Sequence, residues 1–234
     1  MTGAAVVFGA RNLGRAVIED LMDSGWPVVA VARSEATLAG AAFAGATARP
    51  GDVTDPESIA AILAEAAAEH GRVDVVVNAA SAYGGERTGP FGGGPIADAA
   101  PDAYDAWAAA PARSAFTFLR AASRFALDQG GPCTLVQVTG GSSRRPMPGR
   151  GLWAAGAFGV RAITLAAAQE LRPHGIHCAL LIVDAGIAPI GTPPSPSQAD
   201  PRDLARAVRY LAEQGPQAAT HELQVTPLGE TWVP

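Results

Sequence analysis

Apolar runs and amphipathic stretches alternate along this chain from end to end. Ala4–Phe8 (AAVVF) is a short β-rich run that stops at Gly9. Apolar residues at 13, 16, 17 and 21 then recur at helical spacing across Asn12–Ser24, and Gly25 closes that helix. Pro27–Ala32 (PVVAVA) predicts a second buried strand, Thr47–Arg49 a weaker third and Val73–Val77 (VDVVV) a fourth. Ahead of the fourth, Asp55-Pro56 supplies a capping carboxylate and a proline for the first helical position, and the helix runs to about His70. Residues 102–129 read as helix interrupted at Pro111. Thr134–Val138 is a fifth strand, and Leu152–Leu171 is a long helix stopped by Pro173 and Gly175. Ile176–Val183 (IHCALLIV) is a sixth strand, Asp203–Gln214 a late helix and Glu222–Val225 a last strand.

Strands that are apolar throughout belong to a parallel sheet covered on both faces. The expected architecture is α/β: one domain over residues 1–234, a doubly wound Rossmann fold with a mostly parallel sheet of about seven strands and helices on both faces. No repeat or linker divides the chain. Two long loops, Ser81–Pro101 and Gly186–Pro201, follow the C-terminal ends of strands, the edge where such sheets bind ligands. Each is a functional loop or a plain surface excursion.

Composition narrows the chemistry. All 17 basic residues are Arg, so no lysine is available for a Schiff base, a P-loop or a Tyr–Lys pair. A net charge of −5 leaves no basic stripe for phosphates, so nucleic acid is not an expected partner. Cys133 and Cys178 sit in apolar runs and read as buried thiols of a reducing compartment, not as a disulfide. No apolar run is expected to span a membrane, and no basic region precedes the first apolar run as in a signal peptide. The expected location is the cytoplasm. His174 and His177 share no metal-ligand spacing with other His or Cys, so no metal site is expected.

The first strand–turn–helix reads VVFGARNLGRAV. Gly9 and Gly14 fit the outer glycines of G-x-G-x-x-G, with Arg11, Asn12 and Leu13 between them. Such a turn brings backbone N–H groups and a helix N-terminus to a pyrophosphate. An NAD site usually has an acid at the end of the second strand; here Arg33 and Ser34 follow Ala32. A planar cation and a hydroxyl suit a 2′-phosphate, and Arg11 adds a second cation, so the expected cofactor is NADP(H). The plainer alternatives are an ordinary α/β turn and a solvated Arg33 at a helix start.

GARNLGRA, GDVTD at 51–55, NAAS at 78–81 and QELRPHGIHCALLIVDAGI at 169–187 together resemble the short-chain dehydrogenase/reductase (SDR) family, over nearly the whole chain. The last segment, with THELQVTP at 220–227, looks like an atypical subgroup. The resemblance implies that Asp52 and Val53 bracket the adenine and that Asn78, Ala79 and Ala80 line the riboses. It places Gly186 and Ile187 near the nicotinamide carboxamide. It also implies a homodimer or homotetramer built through long helices such as 152–171.

The family's catalytic Asn, Ser, Tyr and Lys align with Pro111, Gly140, Trp153 and Ala157. A family Tyr works as acid/base because a nearby ammonium lowers its pKa from about 10. An indole N–H does not titrate in that range. Hydride transfer then requires an intrinsically reactive acceptor: an activated alkene, an iminium or a quinone-like carbon. Four residues are candidates for the vacated roles. Ser142 holds a substrate carbonyl or caps a loop. Tyr83 is a proton donor or a lid aromatic. Asp184 is a base or a turn cap. Trp153 stacks on a substrate ring or packs in the core. Arg144, Arg145 and Arg150 grip an anion or form a solvated face.

Three functions compete. One is an NADP(H)-dependent reductase with a non-standard site, acting on a small, aromatic or polyketide-like molecule of natural-product biosynthesis. The others are a non-redox cyclase, isomerase or dehydratase, and a nucleotide-binding pseudoenzyme. Fold alone does not choose among them.

Overall fold

A computed structural model describes residues 3–43, 45–80 and 89–231 of the chain. Its frame is a parallel sheet of seven strands: β1 (Ala4–Phe8), β2 (Val28–Ala32), β3 (Thr47–Pro50), β4 (Val73–Asn78), β5 (Cys133–Gly140), β6 (Ile176–Val183) and β9 (Glu222–Val225). The order is β3-β2-β1-β4-β5-β6-β9, so the winding reverses between β1 and β4. A separate two-residue parallel pair, β7 (Gly186–Ile187) with β8 (Gln198–Ala199), forms inside the 186–201 loop.

The strand residues divide between two cores because successive side chains point to opposite faces. Ala5 and Val7 of β1 face one side, where α1 (Leu13–Asp23) and α6 (Pro201–Ala212) cover them with Val17, Leu21, Leu204 and Val208. Val6 and Phe8 face the other side, against α3 (Pro56–His70), α4 (Ala110–Gln129) and α5 (Gly151–Leu171). There Phe8 and Phe118, both almost wholly buried, meet edge to face at 5.9 Å. The doubly wound α/β reading therefore stands, with all seven strands parallel.

Local differences have physical reasons. A helix absent from the expectation, α2 (Glu35–Phe43), connects β2 to β3. The late helix begins at Pro201, with the Asp200 carboxylate accepting from Arg202 N at 2.8 Å. Pro111 does not break its helix: a π turn over Asp105–Ala109 precedes it, the wider turn accommodating a residue without an N–H. The expectation that no apolar run reaches membrane length needs correction. Gly151–His174 is long and apolar enough by length and composition, because Ala and Gly fill it. In the fold it packs on β6 and α4, burying Ala154, Ala157, Val160, Thr164, Ala168 and Leu171.

Candidate active site

The C-terminal ends of the strands open into a cleft of about 870 Å³. Its floor includes the last residues of five strands: Phe8, Ala32, Asn78, Gly140 and Val183. The cleft lies across the reversal between β1 and β4, the place where such sheets take ligands.

Sterics fix the turn after β1. Gly9 has φ +96°, and a Cβ there would stand 2.6 Å from Ala80 N. A Cβ on Gly14 would overlap the carbonyl oxygen of Gly9. These two glycines are required by the backbone alone. At the intervening Asn12, φ is 38° and ψ −103°, a conformation that L-residues rarely adopt. Asn12 stands at the cap position of α1 without capping it; its Oδ1 instead accepts from Ile190 N at 2.8 Å. No acidic residue occupies the first turn of α1, so the positive end of that helix is left for an anion.

At the far end, Arg33 and Ser34 line the cleft together with Thr37, a residue of α2 that the sequence reading missed. The Arg33 guanidinium lies 3.7 Å from the Asp52 carboxylate and is largely exposed. Asp52 also accepts from the Thr54 amide and hydroxyl at 2.9 and 2.8 Å. In the middle, Asn78 is buried and already engaged. Its Oδ1 accepts from Ala80 N at 3.1 Å and its Nδ2 donates to Gln137 Oε1 at 2.9 Å. Asn78 thus shapes the 78–80 turn from within, and Gln137, not anticipated from sequence, orients it. Of the expected cofactor residues, only Gly14 and Gly186 do not themselves line the cleft.

The near end is walled by apolar groups. Pro111, Gly140 and Trp153 all face the cleft, and Ala157 is buried behind them. Trp153 lies 5.4 Å from Phe91 and 6.1 Å from Trp107 between ring centres, and Phe91 and Trp107 are 5.0 Å apart. Its Cζ2 stands 3.9 Å from where a Gly140 Cβ would be. A Cβ at 140 would therefore rest in ordinary contact with the indole edge.

The other candidates divide. Ser142 lies in a 3-10 turn (Gly141–Ser143), half-buried and outside the cleft lining. Its neighbour Ser143 is fully buried, and its hydroxyl has no partner among the described residues. Asp184 also falls outside the lining: its carboxylate takes a hydrogen bond from Gln224 Nε2 at 3.2 Å and abuts Gly141. Burial lifts its pKa above the ordinary value, while Arg145 opposes the rise. Tyr83 lies outside the described residues. The three arginines have separate engagements: Arg144 lies 3.6 Å from Glu222, Arg150 sits 5.3 Å over the Phe91 ring, and the charge of Arg145 acts on Asp184. No group of three potential metal ligands occurs among the described residues.

Glycine turn, uncapped helix and strand reversal together define a dinucleotide-binding protein of the doubly wound class. A family profile described as short chain dehydrogenase matches residues 3–188. The chain belongs to this family of oxidoreductases. It is 27% identical over 219 residues to a 3beta-hydroxysteroid dehydrogenase of Mediterraneibacter gnavus, covering 90% of this chain and 73% of that one. It is 30% identical over 187 residues to the short-chain dehydrogenase/reductase eriH of Hericium erinaceus, covering 74% of this chain and 70% of that one. Among solved structures, a metagenomic short-chain oxidoreductase in complex with NADP superposes with a TM-score of 0.74 at 26% identity, over 97% of both chains. An alcohol dehydrogenase of Thermococcus sibiricus, complexed with 5-hydroxy-NADP, shares the fold with a TM-score of 0.77 at 20% identity, over 100% of both chains.

Proposed function

We propose that the protein is an NADP(H)-dependent reductase that delivers hydride to an activated small-molecule acceptor without a Tyr–Lys proton relay. One observation carries this reading. The same cleft keeps a sterically exact dinucleotide turn at one side and holds Pro111, Gly140 and Trp153 at the other. For the cofactor, Arg33, Ser34 and Thr37 would provide a cation and two hydroxyls for a 2′-phosphate, and no acid stands among Val31-Ala32-Arg33-Ser34 at the end of β2. The metagenomic relative's NADP supports the same choice. When bound, the dinucleotide would supply the hydride; Asn78 and the 78–80 turn would hold its ribose side, and Ile187 would help hold the nicotinamide.

The acceptor must be reactive because proton transfer by a positioned acid or base, worth roughly 10²–10⁴ in rate, is lost. Orientation alone supplies about 7–11 kcal/mol of barrier and is enough for an activated carbon. The reading extends to one domain over residues 1–234, a cytoplasmic location and a small substrate of natural-product type. It includes a homodimer or homotetramer joined through α4 and α5, where Phe116 and Phe158 stand exposed.

NADPH should raise the melting temperature in a concentration-dependent way. Arg33→Asp should weaken NADPH about tenfold or more while leaving NADH within about twofold, since only one carries the phosphate. Equal losses for both would refute the cofactor assignment. No thermal shift with either would refute both the reductase and the pseudoenzyme.

A further inference from the structure

The replacements around the near end of the cleft share one physical direction, and it narrows the acceptor beyond the proposed function, on which this step rests. The proton balance of each acceptor class decides the matter. A ketone takes hydride on carbon and needs a proton on oxygen. An enone takes hydride on one carbon and a proton on another atom, and a quinone also ends with a protonated oxygen. A fully substituted iminium needs hydride alone. The C–H bond forms, the C=N π pair becomes the lone pair on nitrogen, and the reduced nicotinamide dinucleotide that gave the hydride leaves oxidised. Positive charge passes from the substrate nitrogen to the nicotinamide, so no new charge pair is separated in a site of low dielectric.

The described residues at this end suit that balance. Pro111, Ala115, Gly140, Trp153, Val160 and Val183 line it, and none has a group that exchanges a proton near neutral pH. The hydroxyls of Ser114 and Thr139 are hydrogen-bond donors, not acids in this range. Ala157 leaves no cation where the family carries Lys, and the nearby guanidinium of Arg150 is held over the Phe91 ring, 5.3 Å from its centre. Asp184 stays outside the lining, its carboxylate lying against Gly141 and accepting from Gln224 Nε2. Among the described residues that line this end, the indole of Trp153 is the aromatic ring most favourable to a cation. It lines the cleft beside Gly140, with Phe91 and Trp107 fixing its tilt. We infer that the acceptor is a preformed, N-substituted iminium cation seated against Trp153.

The test uses the purified full chain with an N-methyl dihydroisoquinolinium salt as acceptor and tetralone as its neutral isostere. A redox-inert probe, N,N-dimethyl tetrahydroisoquinolinium, reports binding by calorimetry in the presence of NADPH. The iminium should oxidise NADPH and tetralone should not. In D₂O with protiated NADPH, the product should carry no solvent deuterium on carbon, and the rate should be unchanged apart from viscosity. Trp153→Leu should weaken the inert cation about 2- to 30-fold, and Trp153→Phe by a smaller factor. Thermal shift with NADPH, run on each variant, shows that the fold and cofactor site persist. NADPH binding with no turnover of the iminium overturns the acceptor class and leaves the cofactor reading standing. Turnover of tetralone at an equal rate, or deuterium on the product carbon, overturns it as well. Absence of NADPH binding overturns both.

Discussion

Asn12 stores two opposing energies, and substitution separates them. Its backbone sits at φ 38°, ψ −103°, which costs an L-residue about 1–3 kcal/mol. Its side chain recovers about 1 kcal/mol by accepting from Ile190 N at 2.8 Å, a bond that ties the 186–201 loop to the dinucleotide turn. Asn12→Ala keeps the strain and loses the bond, so unfolding should become easier by about 1 kcal/mol. Asn12→Gly also loses the bond but relieves the strain, less about 0.5–1 kcal/mol for the freedom glycine has when unfolded. Glycine should therefore be the more stable variant, by roughly 0.5–2 kcal/mol over alanine, in urea melts. In both, the loop loses its tie. The Ile190 amide should exchange with solvent about fivefold faster, the factor that 1 kcal/mol of local opening gives. Amide exchange read by mass spectrometry or NMR checks this. An unchanged Ile190 rate in both variants would refute the tie, and alanine as stable as glycine would refute the strain.

Two further outcomes follow from other parts of the molecule. Burial holds His177 below its ordinary pKa of 6.5, outweighing the upward pull of the Thr220 carbonyl 2.9 Å away. The unfolded chain then binds the proton more readily, so stability should fall as pH drops below 6.5 towards the folded value. His177→Gln should flatten that limb of a urea-midpoint profile; an unchanged slope would show that another group sets it. Phe158 is 40% exposed on α5 and Phe116 52% exposed on α4. If the proposed dimer or tetramer forms through these helices, Phe158→Glu should convert it to monomer in light scattering; a monomeric parent protein or an unaltered mass would refute that interface.

The legible parts of this chain were those whose signal is local. Asp55-Pro56 announces α3 because cap and proline are adjacent, and the Asp55 carboxylate does accept from Glu57 N. The same pair at Asp200-Pro201 starts α6 two residues ahead of Asp203, where apolar periodicity alone had put it. The helix α2, EATLAGAAF, escaped notice because small residues surround it on every side and leave no polar stripe. Gly9 and Gly14 were readable since their constraint is steric and near in sequence. The Asn12–Ile190 bond spans 178 positions, and no pattern in either segment announces it. Asn78 lines the cleft, and its engagement with Gln137 depends on the register of β4 against β5, which the sequence does not display. Asp184 and Ser142 follow the right strands but do not line the cleft, a placement that strand prediction alone does not resolve.

The pairing of Arg33 with Asp52 has a bearing on selectivity among small solutes. A guanidinium already leaning on a carboxylate does not wait as a bare anion trap. Inorganic phosphate or a mononucleotide must draw it away with a single group, against a neighbour permanently tethered nearby. A dinucleotide arrives with its pyrophosphate anchored at the other end of the cleft, so its second phosphate acts at high local concentration. The internal carboxylate would thereby weaken short anions by about fivefold at most, since an exposed ion pair is worth about 0–1 kcal/mol, and would weigh less on a doubly anchored ligand.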